Sequence, residues 1–333
     1  MVPLSCALAL LSGAIGAGFA SGRELAHFFA AYGHGAWCAA AVCACCFPLL
    51  LTRLCRQMAL ANTASPVWLC RLRFGNRFGR LCAALFALLF ALTGGAMLCA
   101  CAELFALTLP LRGAYTLGLF ASLLAGAQLA RRGIGGLALP GAALCALLPG
   151  LLLRLLALPG GEAGFAPAGN LFASACSGAA YAALNTAMLL GTLPLLLRLG
   201  RAQQARAIAL FTLLFGALLA LGIAVLLRHK QQAPMQMLPF VSLCRVLGRG
   251  GYWLCALSLY AAALSTLCAM LTGLAQMRPG TKRVLPGALC CLLLSAVGFG
   301  GLISRGYPVL GALCAALMAL LCLPHHQQSS SAR

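Results

Sequence analysis

Residues 11–29 read LSGAIGAGFASGRELAHFF. Four glycines, Gly13, Gly16, Gly18 and Gly22, punctuate an otherwise apolar run, and Arg23 and Glu24 follow directly. A glycine costs a helix interior about 1 kcal/mol relative to alanine. In hydrocarbon, an unwound stretch exposes N–H and C=O groups at several kcal/mol each if they stay unpaired. Such a stretch survives where it lines a cavity or meets a ligand. The same small residues also suit close helix contact of the GxxxG kind. On this segment alone, both readings stand.

Composition says what surrounds the segment. The chain has 333 residues, 63% of them hydrophobic and 8% charged, with a mean hydropathy of +1.00. That is too little charge to clothe a soluble protein. Charge-free runs recur along the chain, and a span needs about 20 apolar residues. The reading is an all-α membrane protein with ten spans, at 2–31, 35–52, 81–108, 113–130, 134–157, 168–197, 207–227, 250–276, 284–303 and 307–324. No positive charge precedes the first run, which is read as retained and not as a signal peptide. Residues 1–324 are expected to form one transmembrane domain, and 325–333 a disordered tail.

The net charge of +20 rests on 23 Lys and Arg against 3 acids. In a soluble chain this would suggest nucleic acid. Here the basic residues bunch between spans, in 53–80, 131–132, 198–206 and 278–283. They are read as topology determinants and lipid-headgroup contacts, with no nucleic-acid partner. Their bias puts both termini in the cytoplasm. Nineteen cysteines fall largely within apolar runs, where they act as small hydrophobes. Cys43 and Cys46 form a lone CxxC without a second pair, so neither a zinc site nor a cofactor is expected. With no aspartate, no GxSxG and no nucleophile–base pair, an enzyme is not expected. A channel would want a continuous polar pore, which these spans do not offer easily.

An internal repeat is suggested by position. Gly18 and Ala180 lie about 162 residues apart, as do Glu103 and Ser265. Two halves of five spans, about 1–157 and 168–324, must enter the bilayer from opposite sides, which makes an inverted repeat. Span six then has its own interruption in ACSGAAYAALN, residues 175–185. Paired interruptions are the best sequence pointer to a transporter site. Arg23, Glu24, Glu103 and Asn185 are the gating or coupling candidates, since polar groups in a membrane face the interior or water. Glu103 could pair with Arg23, or with Arg154; a purely structural ion pair is the plain alternative. His27 reads as an ordinary helix-surface histidine. Ala262 O, Ser265 and Thr266 share a face of span eight and could form a Na⁺ site with carbonyls near Gly16, although such hydroxyls commonly bond back to their own helix.

At GAGFASGRE (16–24) with Phe28 and Phe29, and at YAALN (181–185), the chain resembles the YkvI-like bacterial membrane proteins. That family is grouped with the amino acid–polyamine–organocation superfamily. The resemblance implies a LeuT-like five-plus-five inverted repeat with helices 1 and 6 broken, in a bacterial cell membrane. By position it implies substrate contacts from Gly16, Ala17, Gly18, Phe19, Ala20, Ser21 and Gly22, faced by Ser177, Gly178 and Tyr181. It implies Na⁺ at Gly16, Ala262, Ser265 and Thr266. Arg23 departs from the pattern, standing where an uncharged polar residue is expected at least as often. The expected function is secondary transport of a small solute, an amino acid or related amine, coupled to Na⁺ or H⁺. The alternative is a scaffold or sensor that keeps the fold without transporting. Oligomeric state is not legible.

Overall fold

The computed structural model describes residues 2–63, 65–159, 170–229, 239–277, 284–297 and 307–322. Span one is built from α1 (Val2–Ala14), α2 (Ala17–Ala20) and α3 (Arg23–Phe28). Then come α4 (Gly35–Leu60), α5 (Pro66–Thr108), α6 (Ala114–Arg131) and α7 (Ile134–Ala157). The second half holds α8 (Leu171–Leu189), α9 (Leu193–Leu196) and α10 (Arg201–Arg228). It closes with α11 (Pro239–Cys244), α12 (Gly248–Gln276), α13 (Leu285–Leu294) and α14 (Tyr307–Cys322). The helices at Gly35–Leu60, Val67–Thr108, Gly135–Ala157, Arg201–Arg228 and Gly248–Gln276 are each long and apolar enough to cross a bilayer. Leu49, Leu124, Phe172, Leu213 and Leu293 point outward. So much exposed apolar side chain is a liability in water and harmless in lipid. The chain is a multi-pass membrane protein.

The segment 53–80, which the sequence places between spans, is mostly helical. α4 continues to Leu60, and only a short link precedes Pro66. Ser65 caps the next helix by accepting from the Trp68 amide at 3.4 Å, with Pro66 in the first turn, where its missing N–H is not needed. The chain then turns an elbow at Gly75, whose φ of 76° is left-handed. A Cβ on Gly79 would lie 2.5 Å from the Arg71 Cα, so the arm after the elbow packs back too closely for a side chain there. Glu162 and the tail 325–333 lie outside the described residues.

Span six departs from expectation. Asn170 caps α8 by accepting from the Phe172 and Ala173 amides at 3.0 and 3.3 Å. The helix then runs through 175–185 without interruption and ends at Leu189, with a turn at 190–192 before α9. The small residues expected to break it serve close packing instead: a Cβ on Gly178 would strike the Ala39 carbonyl, and α4 and α8 lie side by side. Gly191, in the turn, approaches the Cα of Gly273 in α12 just as closely.

The interior gathers around span one. α1 packs against α7, α8, α10 and α12, while α5 packs against α6, α12 and α13. Ser12 donates to the Leu137 carbonyl, and a Cβ on Gly141 would strike the Leu8 carbonyl. The α1–α7 seam is therefore backbone-close, the geometry small residues permit in membranes.

Candidate functional site

Span one does lose its helix. α1 ends at Ala14, Gly16 is extended with φ −99° and ψ −176°, and α2 restarts at Ala17. A second discontinuity follows at Gly22, where φ is 82°. In an unbroken helix the Ser12 and Ile15 carbonyls would accept from residues 16 and 19. Here they accept from α12 instead. Thr266 Oγ1 donates to Ile15 O at 3.1 Å or to Ser12 O at 3.3 Å, and Ser265 Oγ to Ile15 O at 3.3 Å or to Ala262 O at 2.8 Å. All of these residues are buried. Five oxygens thus converge: three backbone carbonyls and two hydroxyls. Gly16 permits this, because a Cβ there would sit 3.2 Å from Thr266 Oγ1 and 3.5 Å from Met97 Sδ.

The sequence pointed to Gly16, Ala262, Ser265 and Thr266 but missed Ser12 and Ile15. Only their carbonyls take part, so side-chain identity carries no signal. A trace lies in their i, i+3 spacing just ahead of the glycines. Such a set of neutral hard oxygens, with no thiolate or imidazole, suits an alkali cation by donor chemistry.

A second cluster lies on the far side of the break. Glu24 is buried at 3% exposure. Its carboxylate folds back over Gly18, where a Cβ would sit 2.7 Å from the carboxyl carbon, and accepts from the Tyr181 hydroxyl at 2.9 Å. Tyr181 is packed by Phe28 and Phe29, with ring centroids at 5.0 and 5.2 Å. Phe19 lies against Phe215 at 5.7 Å. Ala17, Ala20 and Ser21 are buried beside them, with Ser21 Oγ donating to Gly18 O at 3.1 Å. Asn185, one turn after Tyr181, donates to the Tyr181 carbonyl at 3.0 Å. Its Oδ1 is buried without a hydrogen-bond partner among the described residues, as is Thr93 Oγ1 on α5. Such orphans are rare in proteins and call for a donor or water.

α11 covers this cluster. The Phe240 amide donates to the Ser21 carbonyl at 2.9 Å, and the Phe240 ring rests 3.0 Å from where a Gly22 Cβ would be. The sequence analysis did not single out Phe240, Phe215 or Met97. Contacts across more than 80 residues leave no local pattern.

Other expected members stand elsewhere. Ser177 donates to the Phe28 carbonyl at 2.8 Å, and Gly178 is taken up by the α4 contact. Both tie span six to its neighbours. Glu103 is exposed on α5 and accepts from Cys99 Sγ at 3.4 Å, one turn away on the same helix. Arg23 Nη1 is buried and, among the described residues, has no partner, so the Arg23–Glu103 pair is not formed. Arg154 is exposed on α7. His27 is exposed with its ring edge-on to Phe28 at 5.1 Å, in keeping with the surface role.

No family model and no curated protein matches the chain. Solved structures do. A Na⁺-coupled sialic acid symporter in a substrate-bound outward-open state superposes with a TM-score of 0.62 at 12% identity, covering 96% of this chain and 77% of that one. Mhp1, a nucleobase-cation-symport-1 family transporter with bromovinylhydantoin bound in a closed conformation, gives 0.64 at 16% identity, over 96% and 77%. The manganese transporter of Eremococcus coleocola, in complex with an aromatic bis-isothiourea substituted compound, gives 0.57 at 13% identity, over 96% and 76%. At such identities the likeness is one of fold, and the chain has the fold of these membrane transporters.

Proposed function

We propose that the chain is a secondary active transporter of a small solute, an amino acid or related amine, working by alternating access and coupled to Na⁺ or H⁺. The observation that carries this is the break in span one, whose freed Ser12 and Ile15 carbonyls meet Ser265 and Thr266 of α12. A gap in a membrane helix is costly unless its freed backbone groups find partners; here the α12 hydroxyls supply them, and the same five oxygens offer a cation its ligands. On binding, the two hydroxyls would turn their protons away and present lone pairs. A cation held between α1 and α12 favours the arrangement that keeps them together, and that differential affinity couples ion to conformation.

The solute site in this reading spans Gly16 to Gly22, with Tyr181, Glu24 and Asn185 opposite. Glu24 and Asn185 Oδ1 both seek donors, which suits an ammonium group. Ser177 and Gly178 hold helices together and do not enter the site. An unpaired carboxylate is expensive at this depth, so Glu24 either meets a cationic solute or carries a proton. The halves 1–157 and 168–324 are proposed as an inverted repeat within one domain, of the YkvI-like kind. Spans 1, 2, 6 and 7 would rock against 3, 4, 8 and 9. The protein is proposed to lie in a bacterial inner membrane with both termini cytoplasmic.

The test is a thermal-shift screen of purified protein against amino acids, amines and organic cations, with and without Na⁺, followed by uptake into proteoliposomes. A cation-dependent shift and concentrative uptake support the proposal. A protein that responds to no solute or cation, and moves none, is the scaffold or sensor of the alternative reading.

A further inference from the structure

A concave feature lies away from the break. A cavity of about 530 Å³ opens between α1 and α10, lined by Pro3, Leu4, Arg206, Ala209, Leu210 and Leu213. The four α10 residues fall at i, i+3, i+4 and i+7, forming one stripe on the helix. Arg206 heads the stripe and aliphatic side chains continue it. Leu4, Leu210 and Leu213 are all exposed, so the groove faces the surroundings of the protein.

Helix length locates the groove in the bilayer. α10 has 28 residues, about 42 Å at 1.5 Å per residue. The hydrocarbon core is about 30 Å thick, leaving about four residues of overhang at each end. Arg206, about one and a half turns into α10, therefore sits at the boundary between headgroups and hydrocarbon. Ala209, Leu210 and Leu213 lie progressively deeper. Among the described residues no carboxylate lines the groove, and the Arg206 charge has no partner there. A cation at headgroup depth above an aliphatic channel complements one kind of molecule, with a negative head and a hydrocarbon tail.

We propose that a phospholipid of the surrounding bilayer seats one acyl chain in this groove with its phosphate on Arg206. Seated there, the lipid bridges α10 to α1, the half-helix that ends at the Ile15–Gly16 break. It holds that half-helix against α10. Binding itself does not rest on the transport reading; a restraint on transport does.

Native mass spectrometry and thermal unfolding of the purified full chain test this, with phosphatidylglycerol, phosphatidylcholine of identical chains, and inorganic phosphate as probes. Phosphatidylglycerol is expected to be retained and to raise the unfolding midpoint more than phosphatidylcholine, and inorganic phosphate to do neither. Arg206→Gln should weaken phosphatidylglycerol retention about fivefold, while Arg206→Lys should largely preserve it. Ala209→Trp, pointing into the groove from an exposed position, should displace the chain whatever the headgroup. Equal retention of both lipids, unmoved by Arg206→Gln, overturns the proposal. So does an equal shift from inorganic phosphate, which would mark a free-anion site, and so does unchanged retention in Ala209→Trp. If Arg206→Gln fails to fold, the Ala209→Trp arm decides alone.

Discussion

Gly18 in span one and Gly178 in span six are both buried glycines within runs of small residues. A side chain on Gly18 would meet the carboxyl group of Glu24, the far end of a movable side chain. A side chain on Gly178 would meet the carbonyl of Ala39, fixed backbone of the next helix. The first glycine makes room for a functional group beside a break, and the second lets two unbroken helices touch. The same composition thus serves two ends, and what lies across from the missing Cβ tells them apart.

Substitution at both positions should separate the two roles most sharply. Gly18→Leu is expected to abolish solute uptake while the protein still reaches the membrane and unfolds at a near-normal temperature. Gly178→Leu overpacks against backbone, at about 1–3 kcal/mol or more, and should lower folded yield and unfolding temperature first. Equal loss of fold in both would end the distinction. Next in size, changing Ser265 and Thr266 together to alanine removes both hydroxyls from the five-oxygen cluster. Stabilisation by Na⁺ should fall at least tenfold in apparent affinity, read by thermal shift against Na⁺ concentration. Unchanged Na⁺ dependence would move the coupling to protons, with Glu24 as the group to examine.

Smaller effects sharpen the picture around Glu24. Tyr181→Phe deletes the donor to Glu24 and should cost about 1.5–3 kcal/mol, the range for hydrogen bonds to charged groups. Glu24→Gln keeps an acceptor for Tyr181 but removes the charge. It should stay folded and lose preference for cationic over neutral solutes. Retained preference would take Glu24 out of the solute site. Last is Gly75→Ala at the elbow, where φ 76° and ψ 176° fall in a region essentially reserved for glycine and cost a side chain about 1–3 kcal/mol. It should lower the unfolding midpoint slightly and leave uptake unchanged, because the elbow touches neither cluster.

Much of the architecture was legible along the chain. The run 134–157 matches α7 in both its ends, and 113–130 matches α6 to within a residue. Hydrocarbon demands a continuous apolar stretch with every backbone group paired inside it, so span boundaries are written locally. The elbow in 53–80 was less legible. Its many arginines resemble loop, yet within α5 the one residue that departs from helical geometry is Gly75.

Within the site, the glycines, Glu24, Ser265 and Thr266 announced themselves as residue types out of place in lipid. Ser12 and Ile15 did not, since they contribute only carbonyls; nor did Phe240, which reaches Gly22 from over 200 residues away. By itself the sequence determined that the chain crosses a membrane many times and that its first span carries glycines and charge where lipid tolerates neither. Only tertiary packing decided which small-residue cluster breaks and which stays helical. A glycine merely allows both, and the neighbour standing opposite, a yielding carboxyl or an unyielding carbonyl, selects one.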